Sequence, residues 1–221
     1  IALSAAHSAK QNQLWISLSK ETAHQLGTPI SSLEAWTVLL EQHNTPPELL
    51  QELQKDVHRL QLVADRFSKI GSTPKLEVQD LSQLVARIKD YMQVRAPKHV
   101  RIDCIANETP ISIPMSATLI EWVIENLLRN ALDAMTHKGV ILISLQKEDK
   151  QVVIDISDTG KGMSKAQAKQ IFKPGYSTKK RGWGLGLSLS KRIVEQYHKG
   201  SLQLRQTELG KGATFRIILP L

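Results

Sequence analysis

The stretch Asn126-Leu127-Leu128-Arg129-Asn130-Ala131-Leu132-Asp133 decides how the second half of the chain is read. Asn126, Asn130 and Asp133 stand at i, i+4 and i+7, so in a helix they share one face. Ile120, Ile124, Leu127, Leu128 and Ala131 make an opposite, apolar face. Residues Ser116 to Thr136 therefore read as one long amphipathic helix. Carboxamides on its polar face can donate to phosphates and offer hard oxygen to a magnesium ion. An ordinary solvated face shows the same pattern, so this stretch alone does not choose between them.

Outward from that helix the pattern is mixed. Asp80-Leu81-Ser82-Gln83 has the form of a capping box opening a helix to about Val94. Val100–Ile105 and Ile111–Ile113 read as strands, as do Val140–Gln146 and Val152–Ser157. A Gly-rich, basic stretch follows. Then come a helix from about Leu185 to His198 and two strands, Ser201–Gln206 and Ala213–Leu219. That order predicts a two-layer α/β sandwich with a mixed, largely antiparallel sheet.

The first 70 residues are different. Leu50, Leu53, Val57, Leu60, Ala64 and Phe67 follow a heptad seam, and Leu26, Ile30, Leu33, Thr37 and Leu40 repeat its rhythm. Leu14 and Leu18 extend the first seam upstream. Gln42 to Pro47 breaks the helix, with Thr45 expected to cap the second one. The prediction is an antiparallel helical hairpin over 1–70, a linker over 71–76 and the sandwich over 77–221. Two helices bury little alone, so a homodimer forming a four-helix bundle is expected, against a monomeric hairpin packed on the second domain.

Composition narrows the classes. Hydrophobic residues make up 41% and charged residues 23% of 221, which excludes wholesale disorder. No apolar run is long enough for a membrane helix. A single cysteine, Cys104, excludes a disulfide framework and fits a reducing cytosol. Residues 161–199 hold 10 Lys/Arg against one acid, Glu195, a local surplus equal to +9 in a chain of net +8. Such a segment can clasp nucleic acid or surround a triphosphate. No nucleic-acid-reading motif accompanies it, so no nucleic acid partner is expected. The chain begins at Ile1 rather than Met and is expected to be a piece of a longer protein.

Three further segments complete the pattern around Asn126–Asp133. Asp158-Thr159-Gly160-Lys161-Gly162-Met163 follows a strand, where a carboxylate can accept from an exocyclic amine. Ile171 to Lys180 includes Ser177, Thr178 and Lys179. Gly182-Trp183-Gly184-Leu185-Gly186-Leu187 opens a helix, where free N–H groups and the dipole favour an anion. In this order the four segments resemble the N, G1, F and G2 boxes of the sensor histidine kinase ATP-binding domain. The same superfamily includes type II topoisomerases, Hsp90-class chaperones and mismatch-repair ATPases. Gly210-Lys211-Gly212-Ala213-Thr214-Phe215 is a further match.

The resemblance implies roles. Asn130 would bind magnesium and phosphate with Asn126 alongside, and Asp133, Thr178 and Lys179 would belong to the nucleotide site. Asp158 would hydrogen-bond adenine, Gly160 and Gly162 would let the loop close, and Gly182, Gly184, Leu185 and Gly186 would belong to the lid. Trp183 stands where the family often has a small residue. In the hairpin, Ala23-His24-Gln25-Leu26-Gly27-Thr28-Pro29 resembles the phosphoacceptor box. His24 points away from the seam, and Pro29 bends the helix just beyond it. Its neutral imidazole can attack a phosphoryl group.

Gln25 departs from the family, which usually carries Glu or Asp there. An amide cannot neutralise the imidazolium, and loss of a general base costs about 10²–10⁴-fold. Glu21, one turn earlier, is a substitute within reach. Thr28 matches the position that implies phosphatase action on the partner. The implied function is ATP- and Mg²⁺-dependent phosphorylation of His24 and transfer to an aspartate of a response-regulator receiver domain. A cytoplasmic fragment with no membrane contact is expected, with any sensor or anchor upstream of Ile1. Two other readings stay open: an ATPase that hydrolyses rather than transfers, and a nucleotide-gated dimeric scaffold without kinase activity. The remaining histidines, His7, His43, His58, His99, His137 and His198, are expected to be surface residues.

Overall fold

The computed structural model describes residues 26–27, 29–43, 45–70, 74–106, 109–179 and 184–221. The chain divides into two compact units, Ile1–Pro74 and Lys75–Leu221. No helix among the described residues is long and apolar enough to cross a membrane.

In the first unit, helix α1 (29–41) and helix α2 (Pro47–Ile70) form the hairpin. Among the described residues of the hairpin, the seam positions Ile30, Thr37 and Val57 are buried, 5–7% exposed, whereas Leu40 and Leu60 of the expected seam are exposed. Gln54 Nε2 donates to Glu41 Oε1 across the pair at 2.6 Å, and Gln61 bonds Glu34 two turns further along. Thr45 does not cap α2. Its hydroxyl donates back to the Leu40 carbonyl at 2.8 Å, satisfying an orphan acceptor at the end of α1. Pro47 opens α2, where a missing N–H costs nothing, and the Pro46 carbonyl accepts from Leu49 and Leu50. Gly71, Ser72 and Thr73 of the expected linker lie outside the described residues.

The second unit is a two-layer sandwich. Its elements are β1 (Glu77–Asp80), α3 (Leu81–Arg95), β2 (Val100–Ala106), β3 (Ser112–Met115), α4 (Ala117–Ala134), β4 (Gly139–Lys147) and β5 (Gln151–Asp158). After these come α5 (Lys165–Ala168), α6 (Gly186–Arg192) with a π-helical turn Ile193–Tyr197, β6 (Ser201–Glu208) and β7 (Gly212–Pro220). The main sheet has the order β2-β4-β5-β7-β6, with β2 parallel to β4 and every other neighbour antiparallel. The sheet is mixed and largely antiparallel. Strands β1 and β3 form a separate antiparallel pair.

Alternation decides which face of the sheet is covered. Ile141, Ile143 and Leu145, with Val152, Ile154 and Ile156 and then Phe215, Ile217 and Leu219, are buried at period 2 beneath the helices. On α4 the apolar stripe Leu119, Ile120, Val123, Ile124, Leu127, Leu128 and Ala131 is at most 4% exposed. The stripe faces the core and turns the Asn126–Asp133 face outward. On the opposite side of the sheet, Asp155 takes Nε and Nη2 of Arg216 at 2.8 and 2.7 Å and Nη1 of Arg205 at 2.8 Å, stitching β5, β7 and β6.

Other features also differ from the expectation. The strand β1 and the single-turn helix α5 went unread; Asp80 of β1 also caps α3 by accepting from Gln83 N–H. The expected helix Leu185–His198 is regular only to Arg192 and then widens into the π turn. His198 is not a surface residue: it is 3% exposed. Its Nε2 accepts from Ser116 N–H at 3.1 Å, and its Nδ1–H donates to the Ile193 carbonyl at 2.9 Å. That pairing requires the neutral imidazole, and burial pushes its pKa down.

Candidate functional site

The outward face of α4 borders a cavity of about 320 Å³. Its lining includes Asn126, Asn130, Asp133, Asp158, Gly162, Thr178, Lys179, Gly184, Leu185 and Gly186. Four segments separated by up to 60 residues of sequence therefore converge, because α4 lies alongside the end of β5 and the start of α6. Gly160 does not line the cavity. Its N–H donates to Asp158 Oδ1 at 2.8 Å. Gly182 lies outside the described residues, as do Glu21, His24, Gln25 and Thr28.

Each wall has a local cause. Asp158 ends β5, 9% exposed, and burial raises its pKa against the lowering effect of the Gly160 and Ala213 N–H groups. A buried carboxylate of this kind is a strong acceptor for one donor from a ligand. Gly162 has φ of +61°, and a side chain there would run into the Glu208 carbonyl on the β6–β7 turn. Lys161 O accepts from Gly210 N–H at 2.8 Å and Met163 N–H reaches Thr207 Oγ1 at 2.9 Å, so the loop is clamped to that turn. At the start of α6, a Cβ on Gly186 would come 2.5 Å from Asn126 Oδ1. Only glycine lets α6 approach α4 so closely.

The polar face is organised by charge. Lys179 Nζ donates to Asn130 Oδ1 at 2.8 Å and to Asp133 Oδ2 at 2.6 Å. Asn130 Oδ1 is a hard donor that already holds one cation, so it fits a divalent ion, and Asp133 adds negative charge beside it. The cavity is thus apolar where Met163, Ile171 and Phe215 line it, acidic at Asp158 and cation-bearing at Lys161 and Lys179. It suits a flat ring with an amine at one end and an anion at the other.

Met163, Gln167, Ile171, Tyr176 and Phe215 also line the cavity and were not singled out as site residues. A signal existed for Gln167. The pattern Ser164-x-x-Gln167 forms a complete capping box on α5, which fixes that side chain.

Residues 115–221 match the family of histidine kinase-, DNA gyrase B- and HSP90-like ATPases. Residues 115–221 thus carry a domain of this ATPase family, and the chain as a whole is similar to sensor histidine kinases. It is 30% identical to sensor histidine kinase ZraS of Escherichia coli (strain K12) across 92% of its own length and 45% of that protein. The chain spans about half the length of the curated relatives it matches. Among solved structures, full-length ShkA in complex with AMPPNP superposes with a TM-score of 0.72 at 22% identity, over 92% of this chain and 45% of that one. Histidine kinase ThkA, in complex with response regulator protein TrrA, superposes with a TM-score of 0.62 at 19% identity, over 100% and 67%.

Proposed function

We propose that this chain is the catalytic core of a sensor histidine kinase, which moves the γ-phosphoryl group of ATP to His24 and then to an aspartate of a response-regulator receiver domain. One observation carries the reading: a single cavity gathers Asn126, Asn130, Asp158 and Gly186 in a chain that also holds the His24-to-Pro29 box.

In this reading Asp158 accepts from the adenine amine, while Met163, Ile171 and Phe215 flank the ring. Lys161 and Lys179 face the phosphates. Asn130, with Asn126 beside it, holds Mg²⁺, which when bound neutralises charge on the phosphate oxygens. A neutral nitrogen of His24 attacks the γ-phosphorus; the N–P bond forms, the P–O bond to ADP breaks, and the ring proton must leave. Glu21, three positions earlier in the sequence, is the carboxylate this reading assigns to that proton, since the amide of Gln25 cannot accept it. Thr28 positions water for the reverse task, hydrolysis of the partner's aspartyl phosphate.

The functional division is 1–70 as dimerisation and phosphoacceptor hairpin, 71–76 as linker and 77–221 as ATP-binding domain. A homodimer is supported by the apolar residues left exposed on the hairpin: Trp36 at 59%, Leu49 at 63% and Leu60 at 41%. On α1, Trp36 and Leu40 continue the seam around one side, where a second hairpin completes the bundle. Work on ATP and a receiver domain fits the cytoplasm.

Incubation with γ-labelled ATP and magnesium, followed by addition of a receiver domain, tests the reading. The label should appear on the protein as an acid-labile, alkali-stable phosphoramidate and then pass to the receiver. Bound nucleotide with no label would instead favour the scaffold reading that Gln25 keeps open.

A further inference from the structure

Lys179 is placed with more order than a surface lysine needs. Its backbone N–H donates to Ser177 Oγ at 3.1 Å, fixing a tight turn. From there the side chain crosses to α4, donating to Asn130 Oδ1 and Asp133 Oδ2. Both the ammonium and the Asp133 carboxylate are about half exposed, at 45% and 47%, so the pair is held by geometry more than by burial. The oxygen it occupies on Asn130 is the one the nucleotide reading assigns to the divalent ion.

An ammonium and a divalent cation compete for that oxygen. Both would sit within about 3 Å of it, and the repulsion between them at that range is strong at any plausible local dielectric. We propose that Lys179 is the internal cation of the nucleotide site: it holds Asn130 Oδ1 and gives that oxygen up to the divalent ion arriving with the triphosphate. Asp133 is its positioning residue. It anchors the ammonium beside the site before the exchange and retains it there afterwards, facing the phosphates. This inference rests on the cavity being a nucleotide site.

The exchange predicts a competition. Displacing an exposed pair of this kind costs little, so the competition is worth about two- to five-fold. The test is binding of a fluorescent ATP analogue to the whole chain at a series of Mg²⁺ concentrations. Lys179→Met should lower the half-saturating Mg²⁺ concentration by about two- to five-fold. Lys179→Arg, which keeps the charge, should stay at the wild-type value. Asp133→Asn loosens the anchor and should also lower the Mg²⁺ requirement, whereas a true metal ligand would raise it when lost. An unchanged or raised Mg²⁺ requirement in Lys179→Met overturns the proposal, even where overall affinity falls because a phosphate contact is gone. Failure of the wild-type chain to bind the analogue at any Mg²⁺ concentration would instead remove the nucleotide reading and this inference with it.

Discussion

Asn126 Nδ2 donates to the hydroxyl of Ser190 at 3.0 Å, joining the helix that faces the cavity to the helix that follows the glycine loop. Ser190 is fully buried, so the bond has no water to replace it. Ser190→Ala should lower unfolding stability by about 1 kcal/mol and leave Asn126 free to turn. Urea denaturation of wild type and variant measures the loss; equal midpoints would mean the two helices are held by packing alone.

Asp158→Asn exchanges a buried charged acceptor for an amide. A hydrogen bond to a charged group is worth about 1.5–3 kcal/mol, so nucleotide affinity should fall about ten- to hundred-fold. Burial holds the Asp158 carboxyl above the ordinary aspartate value of 3.8. Binding should therefore fade at a higher pH than for an exposed aspartate as the group takes up its proton. Calorimetric titration across acidic pH checks both.

His198 makes stability depend on pH in the opposite direction from a histidine with an acidic partner. Its folded pKa lies below the ordinary 6.5 because burial disfavours the cation. The unfolded chain takes up a proton near 6.5 while the folded chain resists, so stability is full above that value and is lost as pH falls toward the folded pKa. Urea midpoints at pH 7.5 and 5.5 should fall further for wild type than for His198→Gln. Parallel shifts in the two proteins would contradict the buried neutral imidazole.

Leu53→Ala with Leu60→Ala removes apolar bulk from the exposed side of the hairpin seam. Buried leucines cost about 2–5 kcal/mol each on truncation, so the dimer should weaken by orders of magnitude. Light scattering at micromolar concentration should give a dimer for the wild type and a monomer for the double variant. A monomeric wild type would remove the four-helix bundle.

Gln25→Glu should raise the autophosphorylation rate, by at most about 10²–10⁴-fold, if withdrawal of the imidazole proton limits the step. Glu21→Gln should lower it if that carboxylate already accepts the proton. Single-turnover kinetics with labelled ATP separate these from binding. No change in either variant would move the slow step to a conformational change.

The parts of the structure legible in the sequence are those with a strong period. The α4 stripe and the alternation in β4, β5 and β7 each repeat over several residues, and repetition is what a sequence displays best. What escaped reading depends on single contacts between distant residues. His198 pairs with Ser116, 82 positions away, and nothing local separates a buried imidazole from a surface one. The Thr45 hydroxyl had two carbonyl and amide ends to choose from, and turned to Leu40 behind it rather than to α2 ahead. Strand β1 has only four residues and exists through its pairing with β3. The cavity was legible because its motifs carry their own chemistry, whereas Tyr176 and Gln167 enter it only through the folding of the loop.

Labelling with γ-labelled ATP in wild type and His24→Ala, with nucleotide affinity measured on the same samples, tests the kinase reading most directly. Wild type should carry one acid-labile, alkali-stable phosphoryl group. His24→Ala should carry none while binding nucleotide as tightly as before. Label that persists in His24→Ala, or no label in a wild type that binds ATP, would contradict it.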